Sequence, residues 1–301
     1  MQPFLADPNK TKELLARHDF LIKKGYGQNF LIDPSVPAGI AAAAGLGPED
    51  TVLEIGPGIG TLTQVLAAAA GRVIAVEIDR KLEPVLADSL RGFDNVTVVW
   101  GDILKQDIPR LLAEHGVTPP VKVVANLPYY ITSPILMALL KQAELFSSLT
   151  VMVQAEVGER MAAAPGTKEY GYLSVSVQYY AQPRLVLSVP PHAFLPQPKV
   201  SSAVVRLETG GGPAVQCRDA DHLFAVAKAA FLQRRKTLAN ALAGYAPLGV
   251  SRDQAEAALT QTGLDPRIRG ERLSLAQFAA LSDILWAMTH QDDKEQKETS
   301  S

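Results

Sequence analysis

The residues with the clearest chemical potential are Asn126-Leu127-Pro128-Tyr129. An amide, main-chain carbonyls on a proline-stiffened turn and an aromatic ring stand together there, a set suited to the amino group of a flat base such as adenine. Such a nitrogen has its lone pair delocalised into the ring and must pyramidalise before it attacks an electrophile in line. Acceptors on its N–H groups favour that change by localising the lone pair and stabilising the positive charge that builds. The Asn126 carbonyl can accept one hydrogen, and the backbone carbonyl of Leu127 or Pro128 the other. Tyr129 offers a face on which a flipped-out base can stack. No strong base is required, because the proton turns acidic once the nitrogen has reacted. The competing reading is a plain Asn-x-Pro turn with a packed tyrosine.

A second set of residues suits a cofactor. Glu54-Ile55-Gly56-Pro57-Gly58-Ile59-Gly60 places a glycine turn after a β-branched run, letting backbone approach a ligand and opening a helix whose N–H groups point at it. The spacing is G-x-G-x-G, not the G-x-G-x-x-G of dinucleotide dehydrogenases. Glu54, just ahead of it, suits a cationic amino acid moiety and is poorly suited to a pyrophosphate. Glu77 ends the next run, where ribose hydroxyls are gripped by an acid. Asp102 follows the third, directly after Gly101, and can accept from an exocyclic amino group of adenine. Taken singly, Glu77 also reads as a solvated strand end and Asp102 as a helix cap. Together, at the C-terminal ends of consecutive strands, the three acids resemble the S-adenosylmethionine site of Rossmann-like methyltransferases.

These residues need an α/β scaffold to bring them together. The runs Thr51–Ile55, Val73–Glu77, Val96–Trp100, Val121–Ala125 and Leu149–Val153 are nearly continuously apolar, as in parallel strands buried on both faces. Helical patterns such as Leu62–Ala70 separate them. Tyr172–Tyr179 and Ser202–Leu207 alternate more and read as two late strands that close the sheet antiparallel, linked by the Pro-rich Val189–Pro198. The expected fold is a mostly parallel, seven-stranded Rossmann-like sheet spanning residues 1–209 with an N-terminal arm. Gly210-Gly211-Gly212-Pro213 reads as a linker. Residues 214–290 show only helical periodicity, at about 221–232, 236–243, 252–262 and 274–288, and form a small all-helical domain. The polar residues 291–301 read as a disordered tail.

Composition excludes several classes. No stretch approaches the roughly 18–20 apolar residues of a membrane helix, and the N-terminus lacks a secretory layout. The single Cys217 permits neither an internal disulfide nor a multi-Cys metal site, and the five histidines show no ligand spacing. The expectation is a cytoplasmic, metal-free monomer. Net charge is −2, but the basic excess lies at the margins: 5 Lys/Arg against 3 Asp/Glu over residues 1–30, and 9 against 7 over 214–290, flanking an acidic centre. RNA-gripping flanks around a cofactor core would look like this, as would ordinary solvated surface.

Four stretches sharpen the reading: Lys24-Gly25-Tyr26-Gly27-Gln28-Asn29-Phe30-Leu31, the glycine turn, Asn126–Tyr129, and Phe194-Leu195-Pro196-Gln197-Pro198-Lys199-Val200-Ser201-Ser202. Phe231-Leu232-Gln233-Arg234-Arg235-Lys236-Thr237-Leu238 fits with them. Through these the chain, over roughly residues 10–285, resembles the ribosomal RNA adenine N6-dimethyltransferase family, and within it the KsgA-type enzymes of the bacterial small subunit. The resemblance implies S-adenosylmethionine as cofactor, with contacts at Asn29, Leu31, Gly56, Glu77, Asp102 and Asn126; Gln28, Glu54, Gly58 and Gly60 complete the expected set. It implies as substrate two adjacent adenosines in the 3′-terminal hairpin of 16S rRNA, dimethylated in a nearly assembled 30S subunit. Phe194 would be a second aromatic wall of the base pocket, or else a core residue. Lys23, Lys24, Arg234, Arg235 and Lys236 would contact phosphates, or else form solvated surface. The nearest rival is a large-subunit rRNA adenine methyltransferase with the same core motifs. A DNA adenine methyltransferase fits less well, because Leu127 stands where those enzymes carry a proline.

Overall fold

The computed structural model describes residues 5–22 and 28–298, with side chains through residue 290. The chain divides into two compact units: Met1–Glu159 with Tyr180–Gly212, and Arg160–Tyr179 with Pro213–Ser301. The boundary between Gly212 and Pro213 falls within the stretch Gly210–Pro213, and the second unit also takes in residues 160–179.

In chain order the first elements are α1 (Pro8–Arg17), β1 (Phe30–Leu31), α2 (Ser35–Ala44), β2 (Thr51–Ile55), α3 (Thr61–Ala69), β3 (Arg72–Glu77), α4 (Glu83–Ser89), β4 (Val96–Trp100), α5 (Ile108–Glu114), β5 (Val121–Asn126), α6 (Thr132–Leu140), β6 (Phe146–Gln154) and α7 (Ala155–Ala162). There follow α8 (Tyr172–Tyr180), β7 (Gln182–Val189), β8 (Phe194–Leu195) and β9 (Ser202–Glu208). Seven strands form one sheet in the order β4-β3-β2-β5-β6-β9-β7. The first five run parallel, and β9 pairs antiparallel with both β6 and β7. The continuous apolar runs have their cause here: Val52, Leu53, Val73–Val76 and Val123–Ala125 are all buried, because helices cover both sheet faces.

One late strand is not where alternation placed it. Tyr172–Tyr180 is helix α8, and the closing strands are β7 and β9. Ser174, Val175, Ser176 and Val177 are all fully buried. Apolar/polar alternation signals a strand only when one face is wet; here small serines pack inside with the valines, and the pattern carries no information about period.

A two-stranded ribbon fixes the entry to the sheet. β1 pairs antiparallel with β8, Phe30 opposite Leu195 and Leu31 opposite Phe194. Leu31 and Phe194 are buried in one core cluster with Val36, Ile40 and Val189. Upstream, Asp7 caps α1 by accepting from the Asn9 and Lys10 N–H groups. Arg17 and His18 at its other end reach Asp88 on α4, at 2.9 and 3.1 Å.

The second unit is helical: α8 with α9 (Ala220–Leu232), α10 (Leu238–Ala243), α11 (Arg252–Gln261) and α12 (Leu275–Glu298). Its core is aromatic. Phe231 meets Tyr170 edge-on at 5.7 Å between centroids and lies 5.9 Å from Phe278, while the Tyr170 hydroxyl donates to the Leu273 carbonyl. A Ser251–Gln254 capping box starts α11. The backbone of α12 runs from Leu275 to Glu298. No helix among the described residues is long and apolar enough to cross a membrane, and no group of three or more His, Cys, Asp or Glu among them could hold a metal ion.

Candidate active site

The C-terminal ends of β2, β3, β4 and β5 border one cleft, together with β1. It lies where strand order reverses, β2-β3-β4 running one way and β5-β6 the other, the place where open α/β sheets bind ligands. Gln28, Asn29, Leu31, Gly56, Gly58, Glu77, Asp102 and Asn126–Tyr129 all line it.

The glycine turn is built from positive dihedrals. Gly56, Gly58 and Gly60 have φ of 69°, 59° and 89°, a region that side-chain-bearing residues rarely adopt. The Gly56 N–H donates to the Val76 carbonyl, tying the turn to β3 at 2.9 Å. The Gly58 N–H donates to Glu77 Oε2 at 3.1 Å, and the Asp79 N–H to Oε1 at 2.8 Å. Burial pushes the Glu77 carboxyl above its ordinary range, and these donors offset that in part. Its place at the edge of the cleft is therefore set by backbone from two segments.

Glu54 sits differently. It is buried beneath the turn and does not line the cleft. Neither carboxyl oxygen has a hydrogen-bond partner among the described residues. Burial pushes its pKa up to about 8, opposed by the nearby Thr63 hydroxyl and reinforced by the charge of Glu77. Gly60 also lies off the wall, where it caps α3. Asp102 lines the cleft and caps a 3₁₀ turn as well: one carboxyl oxygen accepts from the Leu104 N–H at 3.0 Å. The two readings of that residue are compatible.

The acceptor segment begins at the last residue of β5. The Asn126 side-chain N–H donates to the main-chain carbonyl of Asn29, 3.4 Å away. A carbonyl can only accept, so the amide is turned with its own oxygen free to accept. The Leu127 N–H donates to the Met152 carbonyl on β6 at 3.1 Å, anchoring the turn. Of the two main-chain carbonyls considered, that of Pro128 is already engaged by the Ile131 N–H (3.2 Å) and the Thr132 hydroxyl (3.0 Å). Both its lone pairs are used, whereas no hydrogen bond to the Leu127 carbonyl is found among the described residues. Tyr129 is half-buried, and its hydroxyl pairs with Ser202 Oγ at 2.6 Å. Phe194 is fully buried in the core against Leu31 and does not line the cleft, which favours its structural reading.

The cleft also contains residues the motifs did not single out: Ile78, Asp79, Ile103 and Tyr130. A signal for two of them was present, since each strand-end acid is followed directly by isoleucine, Glu77-Ile78 and Asp102-Ile103. Such pairs join a polar anchor to an apolar surface for a flat ligand. Asp79 also receives the Gln28 side-chain amide at 3.2 Å, holding the segment that precedes β1.

In the second unit, Arg234, Arg235 and Lys236 occupy an exposed turn between α9 and α10 and do not lie on a helix face. Arg234 is partly used internally, paired with Glu271 at 3.2 Å and donating to the Lys168 carbonyl at 3.1 Å. The Leu238 N–H donates to the Ile268 carbonyl at 2.7 Å. That bond joins the segment after exposed Arg235 and Lys236 to the one carrying exposed Arg269 and exposed Arg267, the latter paired with Asp265. Lys23 and Lys24 lie outside the described residues.

Comparison with known proteins agrees with this geometry. The family model for ribosomal RNA adenine dimethylase matches residues 19–286. The ribosomal RNA small subunit methyltransferase A of Moorella thermoacetica is 51% identical over 286 residues, covering 93% of this chain and 98% of that protein. The protein of the same name from Lachnoclostridium phytofermentans is 48% identical over 283 residues, covering 94% and 98%. Among solved structures, a dimethyladenosine transferase from Plasmodium falciparum superposes with a TM-score of 0.66 at 27% identity, covering 84% of this chain and 95% of that one. The 23S rRNA methyltransferase ErmE gives 0.65 at 28%, covering 85% and 99%. By this full-length likeness the chain belongs to the ribosomal RNA adenine dimethylase family of S-adenosylmethionine-dependent methyltransferases.

Proposed function

We propose that this protein dimethylates N6 of two adjacent adenosines in the 3′-terminal hairpin of 16S rRNA, acting as a cytoplasmic monomer on the assembling 30S subunit. The observation that carries the reading is the pair of acceptors at one turn: an Asn126 amide oriented by Asn29, and a Leu127 carbonyl left free while that of Pro128 is engaged. The relatives named for the small subunit, at 46–51% identity, support that subunit over the large one.

The cleft suits S-adenosylmethionine by the chemistry of its donors. Glu77 and Asp102 present carboxyl oxygens for hydroxyl and amino groups, Ile78 and Ile103 flank them with apolar surface, and a Cβ at Gly56 would meet nothing within 4 Å, so backbone is exposed to a ligand there. When bound, this cofactor supplies an electrophilic methyl group on a sulfonium. Asn126 Oδ1 and the Leu127 carbonyl accept from the two amino hydrogens of the target adenine, localising its lone pair. Tyr129, fixed through Ser202, stacks on the base and holds it for in-line approach. After transfer the excess proton leaves to solvent. In the second transfer only one N–H remains, so one of the two acceptors loses its partner.

Purified protein assayed on undermethylated small and large subunits tests the reading. Four methyl groups placed on two neighbouring adenosines of the small subunit is the expected result. Transfer confined to large-subunit rRNA would transfer the assignment to the rival activity.

A further inference from the structure

Two consecutive tyrosines close the acceptor turn, and the mechanism uses only the first. Tyr129 is half-buried with its hydroxyl engaged. Tyr130 lines the same cleft yet is 58% exposed, the most exposed of the large apolar side chains there; Ile78 follows at 52%. No hydrogen bond, ion pair or ring contact holds the Tyr130 side chain among the described residues. The backbone beneath it is firmly held. Leu127 is bonded to β6, the Ile131 N–H closes the turn on Pro128, and α6 starts at Thr132. An aromatic ring is thus presented to solvent at the edge of a base-binding cleft by a rigid turn.

Flipping a base out of a strand deprives its neighbour of a stacking partner, and that loss is part of the cost of flipping. A free aromatic face at the cleft edge can replace it. We propose that Tyr130 is a positioning residue that stacks on the nucleotide next to the target adenosine and favours a purine there, whose larger face covers more of the ring. In a pair of adjacent adenosines, each presents the other as that neighbour. The inference rests on the RNA-methylating reading above.

The test compares wild type, Tyr130→Ala and Tyr130→Phe on undermethylated small subunits. It then repeats the comparison on subunits with one adenosine of the pair changed to uridine, read at the remaining adenosine. The alanine variant should raise KM for the subunit about tenfold with kcat within about twofold, and phenylalanine should recover most of the loss because the ring is kept. Cofactor affinity by calorimetry and the melting profile serve as controls and should match wild type. Uridine as neighbour should lower kcat/KM severalfold for wild type and little for Tyr130→Ala, since the variant has no stacking left to lose. A wild-type KM in the alanine variant, an equal defect in the phenylalanine variant, or equal uridine losses in both enzymes would overturn the role of Tyr130. An inactive wild type on these subunits would overturn the functional reading, and this inference with it.

Discussion

The Asn126 side chain and the Asn29 backbone, remote in sequence, meet through one hydrogen bond at 3.4 Å. Because the Asn29 carbonyl only accepts, this contact decides which end of the Asn126 amide is left free to accept. Asn126→Ala removes an acceptor whose value lies in the transition state. Single-turnover methyl transfer should fall by about 100-fold or more, while cofactor affinity by calorimetry changes only a few-fold. Near-normal turnover would mean that the acceptor set is misassigned.

The Tyr129–Ser202 pair separates stacking from hydrogen bonding. Tyr129→Phe keeps the ring and leaves the buried Ser202 hydroxyl without this partner, so stability should drop by about 1 kcal/mol with most activity retained. Tyr129→Ala removes the stacking face and should lower kcat/KM by at least about tenfold. Denaturant melts alongside steady-state rates distinguish the two.

Glu54 predicts a pH dependence with a definite sign. Its folded pKa, about 8, lies above its ordinary value of 4.5, so the folded state binds the proton more tightly than the unfolded chain. The favourable contribution is complete below the ordinary value, declines as pH rises through the interval, and is gone above about 8. Glu54→Gln, neutral and nearly isosteric, should melt close to wild type at pH 5 and above it at pH 8.5 in calorimetry without cofactor. Parallel melting curves across that range would show that Glu54 is ionised throughout.

Gly60 and Gly56 in the turn should respond differently to alanine. At Gly60, φ is 89° and a Cβ would lie 2.8 Å from Ser89 Oγ and 3.1 Å from Leu90 Cδ2, so Gly60→Ala should destabilise by about 1–3 kcal/mol. At Gly56 the added carbon meets no protein atom; backbone strain remains, but the larger effect should be weaker cofactor binding. Thermal melts paired with calorimetry would reveal whether stability and affinity separate in this way.

Arg235 and Lys236, both exposed, should act through phosphates. Each contact removed by alanine should weaken subunit binding and shallow the log K against log salt slope by roughly 0.7–0.9. Arg234→Ala should change that slope less and lower stability more, since its guanidinium is held by Glu271 and the Lys168 carbonyl. Filter binding across a salt series checks both; identical slopes for all variants would remove this turn from the interface.

The parallel strands and the acids at their ends were legible in the sequence because they are local properties. A strand buried on both faces reads as a β-branched run, and the residue that ends it is known once the run is found. The segment Asn126–Tyr129 was legible for the same reason, as a short contiguous motif. Tertiary structure decided what depends on distant partners. Tyr172–Tyr180 is a helix because its surroundings bury serine and valine alike, which erases the distinction between periods. Phe194 lies in the core because β8 pairs with β1, and Glu54 lies beneath the cleft because the strand that carries it is central. The Pro128 carbonyl is occupied by Ile131 and Thr132, a contact that no local pattern in the sequence announces. A sequence names the polar groups, but only the folded chain determines which are already satisfied, and the unsatisfied ones are left to do the chemistry.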